Sequence, residues 1–167
     1  MDKFVLFVCL LFLTNKLFAQ TSADSGKVSP LKTISYTQFK AYIDGVDLSN
    51  MAAVAELNGY PDPQKTLNLK KELMLNAGQV KEVTTINNEL KRKMKEMGEY
   101  ILKNEHALDE LFRTKKVDDG SLIFYTNRFG LYQGEMRNAI LQAYIKVLAV
   151  LSTGQQSKYQ QLQKIER

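Results

Sequence analysis

Leu75-Asn76-Ala77-Gly78-Gln79 and Leu151-Ser152-Thr153-Gly154-Gln155 repeat one five-residue device at two places in a chain of 167 residues. In each copy a short polar side chain, Asn76 or Ser152, is suited to accept a hydrogen bond from the backbone N–H three residues on. The glutamine can reach back to the N–H of that same cap. Each copy therefore starts a helix, and each follows the end of another helical pattern. Leu75, Asn76, Gln79, Leu151, Ser152 and Gln155 are read as matched corners bracketing a helical hairpin.

Between the corners, Val83, Leu90, Met94, Met97, Ile101, Leu108 and Leu111 advance mostly by threes and fours, which is a heptad-like seam. Asn87 and Asn104 are polar positions on it, expected to weaken packing but help fix register. The pattern stops near Lys116. Val117-Asp118-Asp119-Gly120-Ser121 has turn chemistry, with an aspartate placed to cap the next helix. Leu122, Phe129, Met136, Ile140, Ala143, Val147 and Val150 mark the return, and so short a connection makes the two long helices antiparallel neighbours. A last helix, Gln155 to Arg167, carries Tyr159, Leu162 and Ile165 on one side.

Upstream, Tyr36 to Leu57 is helical but interrupted at Gly45, with Phe39, Tyr42 and Ile43 before the break and Met51, Val54, Ala55 and Leu57 after it. In Leu57-Asn58-Gly59-Tyr60-Pro61-Asp62-Pro63, Gly59 suits a left-handed helix end and Asp62 with Pro63 a new start. A helix from Pro63 to about Leu75 is expected. Gly98, Gly130 and Gly134 fall inside the long helices, where they suit a close crossing. No strand-like alternation competes. The fold class is therefore all-α: a long antiparallel hairpin with short flanking helices, a four-helix hooked hairpin occupying residues 35–167 as one domain.

Residues 1–19 read as a secretory leader, with Lys3 ahead of the apolar run Phe4 to Leu13 and Ala19 at the cleavage site. Ten or so apolar residues fall short of the about 20 that a membrane span requires. Cys9 lies in this leader, so a mature chain beginning at Gln20 has no thiol for a disulfide or a metal. Residues 20–34, rich in Ser, Thr, Lys and Gly, read as a flexible arm. Export without cysteine fits a bacterial periplasm. The net charge of +5, spread among acids, argues against nucleic acid as a partner.

The repeated leucine, polar cap and glutamine resemble the LTxxQ motif of the Spy and CpxP family of periplasmic stress proteins. The architecture also resembles the CnrX-like heavy-metal-resistance proteins. Ala55-Glu56-Leu57-Asn58-Gly59-Tyr60-Pro61 and Leu108-Asp109-Glu110-Leu111-Phe112 are similar to segments of that metal-sensor branch. Here the motif threonine is Asn76 or Ser152, and glycine stands before each glutamine where glutamate is usual. Both caps remain chemically competent. The resemblance implies a curved homodimer, and either a holder of unfolded envelope proteins or a metal-responsive protein acting on a membrane-bound regulator.

The residues weigh against the metal branch, because imidazole-rich sites suit nickel, cobalt, copper and zinc, and this chain has only His106. With Glu105 or Asp109 it would make a weak site unless a second subunit contributed, since adjacent residues on a helix do not face each other. No cofactor is expected. The mature chain has no nucleophilic cysteine, phosphate-binding glycine loop or serine–histidine constellation, and Asp118 and Asp119 read as capping residues, so no enzyme is expected. A candidate client surface combines Lys91, Arg92, Lys93, Met94 and Lys95 with Phe124 and Tyr132, cations that speed encounter beside apolar groups that tolerate many sequences. Of these, Met94 also sits at seam spacing. Phe124, Tyr125, Phe129, Tyr132 and Tyr144 exceed what one seam can bury, so part of this set is expected at a dimer interface or client site. The expected function is an exported, ATP-independent chaperone-like binder of unfolded envelope proteins; the alternative is a CnrX-type metal-sensing protein.

Overall fold

The computed structural model describes residues 27–165. The expected leader, residues 1–19 with Cys9, and the first part of the arm lie outside the described residues. Among those described there are six helices: α1 (Tyr36–Asp44), α2 (Ala53–Leu57), α3 (Pro63–Asn68), α4 (Ala77–Arg113), α5 (Asp119–Val150) and α6 (Thr153–Ile165). α4 and α5 form the antiparallel hairpin, and the flanking set is larger than the two short helices of a four-helix hooked hairpin.

Both corners fold as capping boxes. Asn76 Oδ1 accepts from the Gln79 N–H at 2.9 Å and Gln79 Oε1 from the Asn76 N–H at 3.1 Å, with the same exchange between Ser152 and Gln155. Gly45 ends α1 in the left-handed region at φ 69°, and Asp62 caps α3 with Pro63 behind it. Asp118 accepts from the Ser121 N–H at 2.7 Å to start α5. That bond is the main cause holding the Asp118 carboxyl below its ordinary range.

A group whose folded pKa is depressed stabilises above its unfolded pKa and loses that contribution as pH falls through the folded value. Asp118→Ala is therefore expected to lower the Tm near neutrality. The gap to wild type should close at pH values below the carboxylate range, as thermal melts across pH would show.

α3 is shorter than the expected Pro63 to Leu75 helix. It ends at Asn68, residues 69–74 form turns, and Met74 takes a left-handed φ of 51°. Leu67 and Leu69, like Leu73 and Leu75, are two residues apart, and a helix turns about 200° over two residues. One helical face cannot bury all four. The turns deliver Leu73 into the interior, 2% exposed, and set Leu75 against the corner cluster. Likewise only Ala55 of the second upstream stripe is fully buried; Val54 and Leu57 face solvent, and Ala52 joins Ala55 in the core.

The core runs from the corners past the middle of α4, as far as Ile101 and Leu102. One cluster gathers Ala52, Ala55, Met94, Met97, Ile101, Met136, Ile140 and Tyr144; a second gathers Val83, Ile86, Ala143, Val147 and Leu151. Both seam asparagines are buried and bonded, Asn87 Nδ2 donating to Gln64 of α3 and Asn104 Nδ2 to the Tyr125 carbonyl of α5. α1 sits so close to α4 that a Cβ on Gly98 would lie 2.3 Å from the Tyr42 carbonyl oxygen. Toward the tip the seam opens: Leu108 and Leu111 are half-buried, and Leu122 and Phe129 are both exposed.

Candidate functional site

Three places gather chemistry: the paired corners, a tyrosine–carboxylate cluster beside them, and the outside of α5. At the corners the two motif glutamines meet. Gln79 Nε2 donates to Gln155 Oε1 at 2.8 Å and Gln155 Nε2 returns a bond to Gln79 Oε1 at 3.1 Å. The remaining amide protons go to the Val150 and Leu73 carbonyls, and each amide oxygen also accepts from its own cap N–H. Each amide thus uses two donors and two acceptances, its full capacity. The knot ties the start of α4 to the start of α6.

Removing one glutamine strands the amide of the other, a loss of about 1–3 kcal/mol. Gln79→Ala and Gln155→Ala are each expected to cost that much. In urea unfolding of both singles and the double, the double should cost less than the sum by about 1 kcal/mol or more. Strict additivity would show that the two amides do not act together.

Beside the knot, the Tyr144 hydroxyl lies 2.8 Å from Asp62 Oδ2 and 2.9 Å from Glu56 Oε1, so its single proton serves two carboxylates. Burial first, then the Asp62 and Glu56 charges, push the Tyr144 hydroxyl above the ordinary tyrosine range. It remains a donor and ties α5 to α2 through Glu56 and to the cap of α3 through Asp62. The Asp62 N–H donates to the Tyr159 hydroxyl at 3.0 Å, bringing α6 into the same cluster. An open cleft of about 460 Å³ adjoins it, lined by Glu56, Tyr60, Lys65, Tyr159 and Lys164 among others. These contacts hold elements together, and the tyrosine proton is committed to them.

The candidate metal residues share one turn of α4, and the basic turn is dispersed. His106 is exposed near the tip, with Glu105 and Asp109 half-buried on the same helix. Among the described residues no group of three or more His, Cys, Asp or Glu side chains is placed to hold a metal ion. The cations around residue 93 encircle α4 rather than forming one face. Lys91 Nζ bonds Gln64 of α3 and the Lys95 stem lies against Gly45, whereas Arg92 and Lys93 pair with Glu96. Met94, counted in the client surface on sequence, is 5% exposed and belongs to the core. Tyr132 is half-buried and stacks on Tyr100 at 5.3 Å between ring centroids. Of the seven candidate client residues, Phe124 alone offers a large apolar surface, 49% exposed.

Phe124 begins a longer feature. Met136, Ile140, Ala143 and Val147 face the hairpin interior. At about 100° per residue, Asn127, Leu131, Gly134, Asn138 and Ile145 fall on the opposite side of α5, with Ile123 and Phe124 flanking them toward the tip. All seven are exposed, with Ile123, Leu131 and Ile145 more than half so. The charged residues of α5 are Asp119, Arg128, Glu135, Arg137 and Lys146, and helical spacing puts them to either side of this strip. Nothing lies within 4 Å of where a Cβ would stand on Gly130 or Gly134. At the tip end, Arg128 places its guanidinium 4.8 Å over the Phe124 ring and donates from Nε to the Tyr132 hydroxyl at 3.0 Å. Gly120, Ile123, Phe124, Asn127, Arg128 and Leu131 line an open groove of about 400 Å³ there.

Reading for one seam missed this second face. The signal was present: over its 32 residues α5 carries only those five charges, and Ile123, Phe124, Leu131 and Ile145 do not fit the seam spacing. No protein-family model, curated protein or solved structure matches this chain.

Proposed function

We propose that this chain is an exported holding protein that binds unfolded or damaged envelope proteins without nucleotide, on the scaffold that the Spy and CpxP resemblance implies. The observation that carries this reading is the uncharged strip on the outside of α5. Ile123, Phe124, Leu131 and Ile145 are exposed along it, and grouped exposed apolar side chains mark interaction surfaces. The strip is shallow, its apolar groups are spaced, and its backbone is occupied within the helix. Such a surface gains free energy from any apolar segment, selects weakly among sequences and releases readily.

The cations bordering the strip add long-range attraction that speeds encounter with acidic chains. Arg128 can stack its guanidinium plane on rings while keeping its charge. The corner knot and the Tyr144 cluster serve this function by holding the hairpin rigid, so the strip is presented without collapse.

Light scattering from a heat-aggregating model client tests the reading. Aggregation should be suppressed by a stoichiometric excess of the mature chain in nucleotide-free buffer. Unchanged scattering at that excess would remove the proposal.

A further inference from the structure

We propose that α1 is a detachable strap, and that lifting it uncovers a second, methionine-rich client face between α4 and α5. The inference rests on the holding function proposed above and adds to it a surface that is shut in the resting fold. Three observations carry it.

The first is how lightly α1 is seated. Of its 9 residues Ala41 alone is buried, and Tyr42 is its contribution to the core cluster beneath. Gln133 Nε2, donating to the Tyr42 hydroxyl at 3.0 Å, ties it to α5. α3 and α6 are held by a denser set: Asn87 and Lys91 at Gln64, Tyr144 at Asp62, and the glutamine knot. α1 also closes its backbone on itself. Ser35 and Gln38 exchange capping bonds at its start, and the Gly45 and Val46 N–H groups both return to the Ala41 carbonyl. Lifting it therefore strands no backbone group. Gly45, left-handed at φ 69°, joins it to a loop in which Val46 and Leu48 are exposed, so the joint is free to turn.

The second is what α1 covers. Met94, Met97 and Met136 are buried in the cluster and Met51 packs against it, four of the chain's six methionines. A Cβ on Gly45 would stand 3.3 Å from Met94 Cβ, and one on Gly98 would meet the Tyr42 backbone, so α1 is the cover on this side. Unbranched, polarisable methionine side chains reshape around different partners, which suits a surface that accepts many sequences.

The third is an incomplete seal. A crevice of about 120 Å³ opens between α1, the loop after it and α5, lined by Ala41, Tyr42, Leu48, Met51 and Met136 among others. α1 itself shows what the face takes: a short segment with an aromatic side chain beside a small one, as Tyr42 stands beside Ala41. Unfolded clients offer such segments in many sequences, and one that displaces α1 replaces its contacts.

Hydrogen exchange and photo-crosslinking of the full mature chain test this, the second with a photoreactive methionine analogue in place of methionine. Wild type is compared with Gly98→Ala, which unseats α1, and with Gln155→Ala, a destabilised control whose lost bonds lie at the corner, away from α1. The α1 amides of wild type should exchange about tenfold or more faster than those of Val83 to Ile101. Crosslinks to an unfolding client should form from positions 94, 97 and 136, rise about fivefold or more in Gly98→Ala, and stay within about twofold of wild type in Gln155→Ala. Exchange of α1 in step with Val83 to Ile101 overturns the strap. Early exchange of α1 with those three positions silent overturns the client face. An equal rise in Gln155→Ala assigns capture to general unfolding and overturns the proposal. Light scattering decides the holding function separately: suppression of aggregation with the three methionine positions silent overturns this proposal alone.

Discussion

Gly98→Ala is expected to destabilise the protein by about 1–3 kcal/mol, the usual range for forcing a methyl into a filled site. Helix propensity alone predicts the opposite sign, because alanine is favoured over glycine within a helix by about 1 kcal/mol. Packing wins at this position. The new Cβ would stand 2.3 Å from the Tyr42 carbonyl oxygen, 2.8 Å from its carbon and 2.9 Å from Cα, all backbone atoms of α1 that cannot rotate away. Relief requires α1 to lift from α4, exposing the half-buried Tyr42 and breaking its hydroxyl's bond with Gln133. Gly130→Ala and Gly134→Ala are the matched controls. With nothing within 4 Å, both should stabilise by up to about 1 kcal/mol. Urea unfolding of the three variants decides the matter, and a stabilised Gly98→Ala would mean that α1 is not seated on α4 as described.

Leu131→Glu/Ile145→Glu carries the largest expected effect on function. Both side chains are more than half exposed, so the folded state should change by no more than about 0.5 kcal/mol. A client binding there would have to bury two carboxylates against its own apolar residues. The concentration needed to suppress aggregation should therefore rise about tenfold or more, a loss of 1.4 kcal/mol or greater in affinity. Lys91→Gln/Lys95→Gln, on the α1 and α3 side of α4, should leave suppression within about twofold of wild type. A variant set in which the lysine changes matter and the glutamate changes do not would return the function to the basic turn.

Much of the hairpin was legible because its signals are local. A cap and its glutamine lie three residues apart, the turn at Asp118 is chemically explicit, and the α4 seam is long enough to stand out from noise. The glutamine knot was not legible in the same way: each glutamine satisfies a local capping box, and nothing within five residues says that the two amides also bind each other. The early end of α3 was foreshadowed by the two-residue leucine spacings, yet only the tertiary position of Leu73 requires the turn. Met94 could be read either as seam or as surface from its neighbours, and burial assigns it to the seam. The outer strip escaped because an apolar residue at helical spacing is ordinarily assigned to the core. On α5 there are two such sets, and only the fold tells which set faces α4.

The central claim is that function lies on the outer side of α5, and site-specific photo-crosslinking tests it most directly. A photoreactive phenylalanine analogue is placed at Leu131 or Ile145 on the strip, or at Arg92 on the basic turn, and each chain is illuminated with an unfolding client. Strong crosslinks from positions 131 and 145 with little from position 92 are the predicted result. Crosslinking concentrated at position 92, with positions 131 and 145 silent, would contradict it.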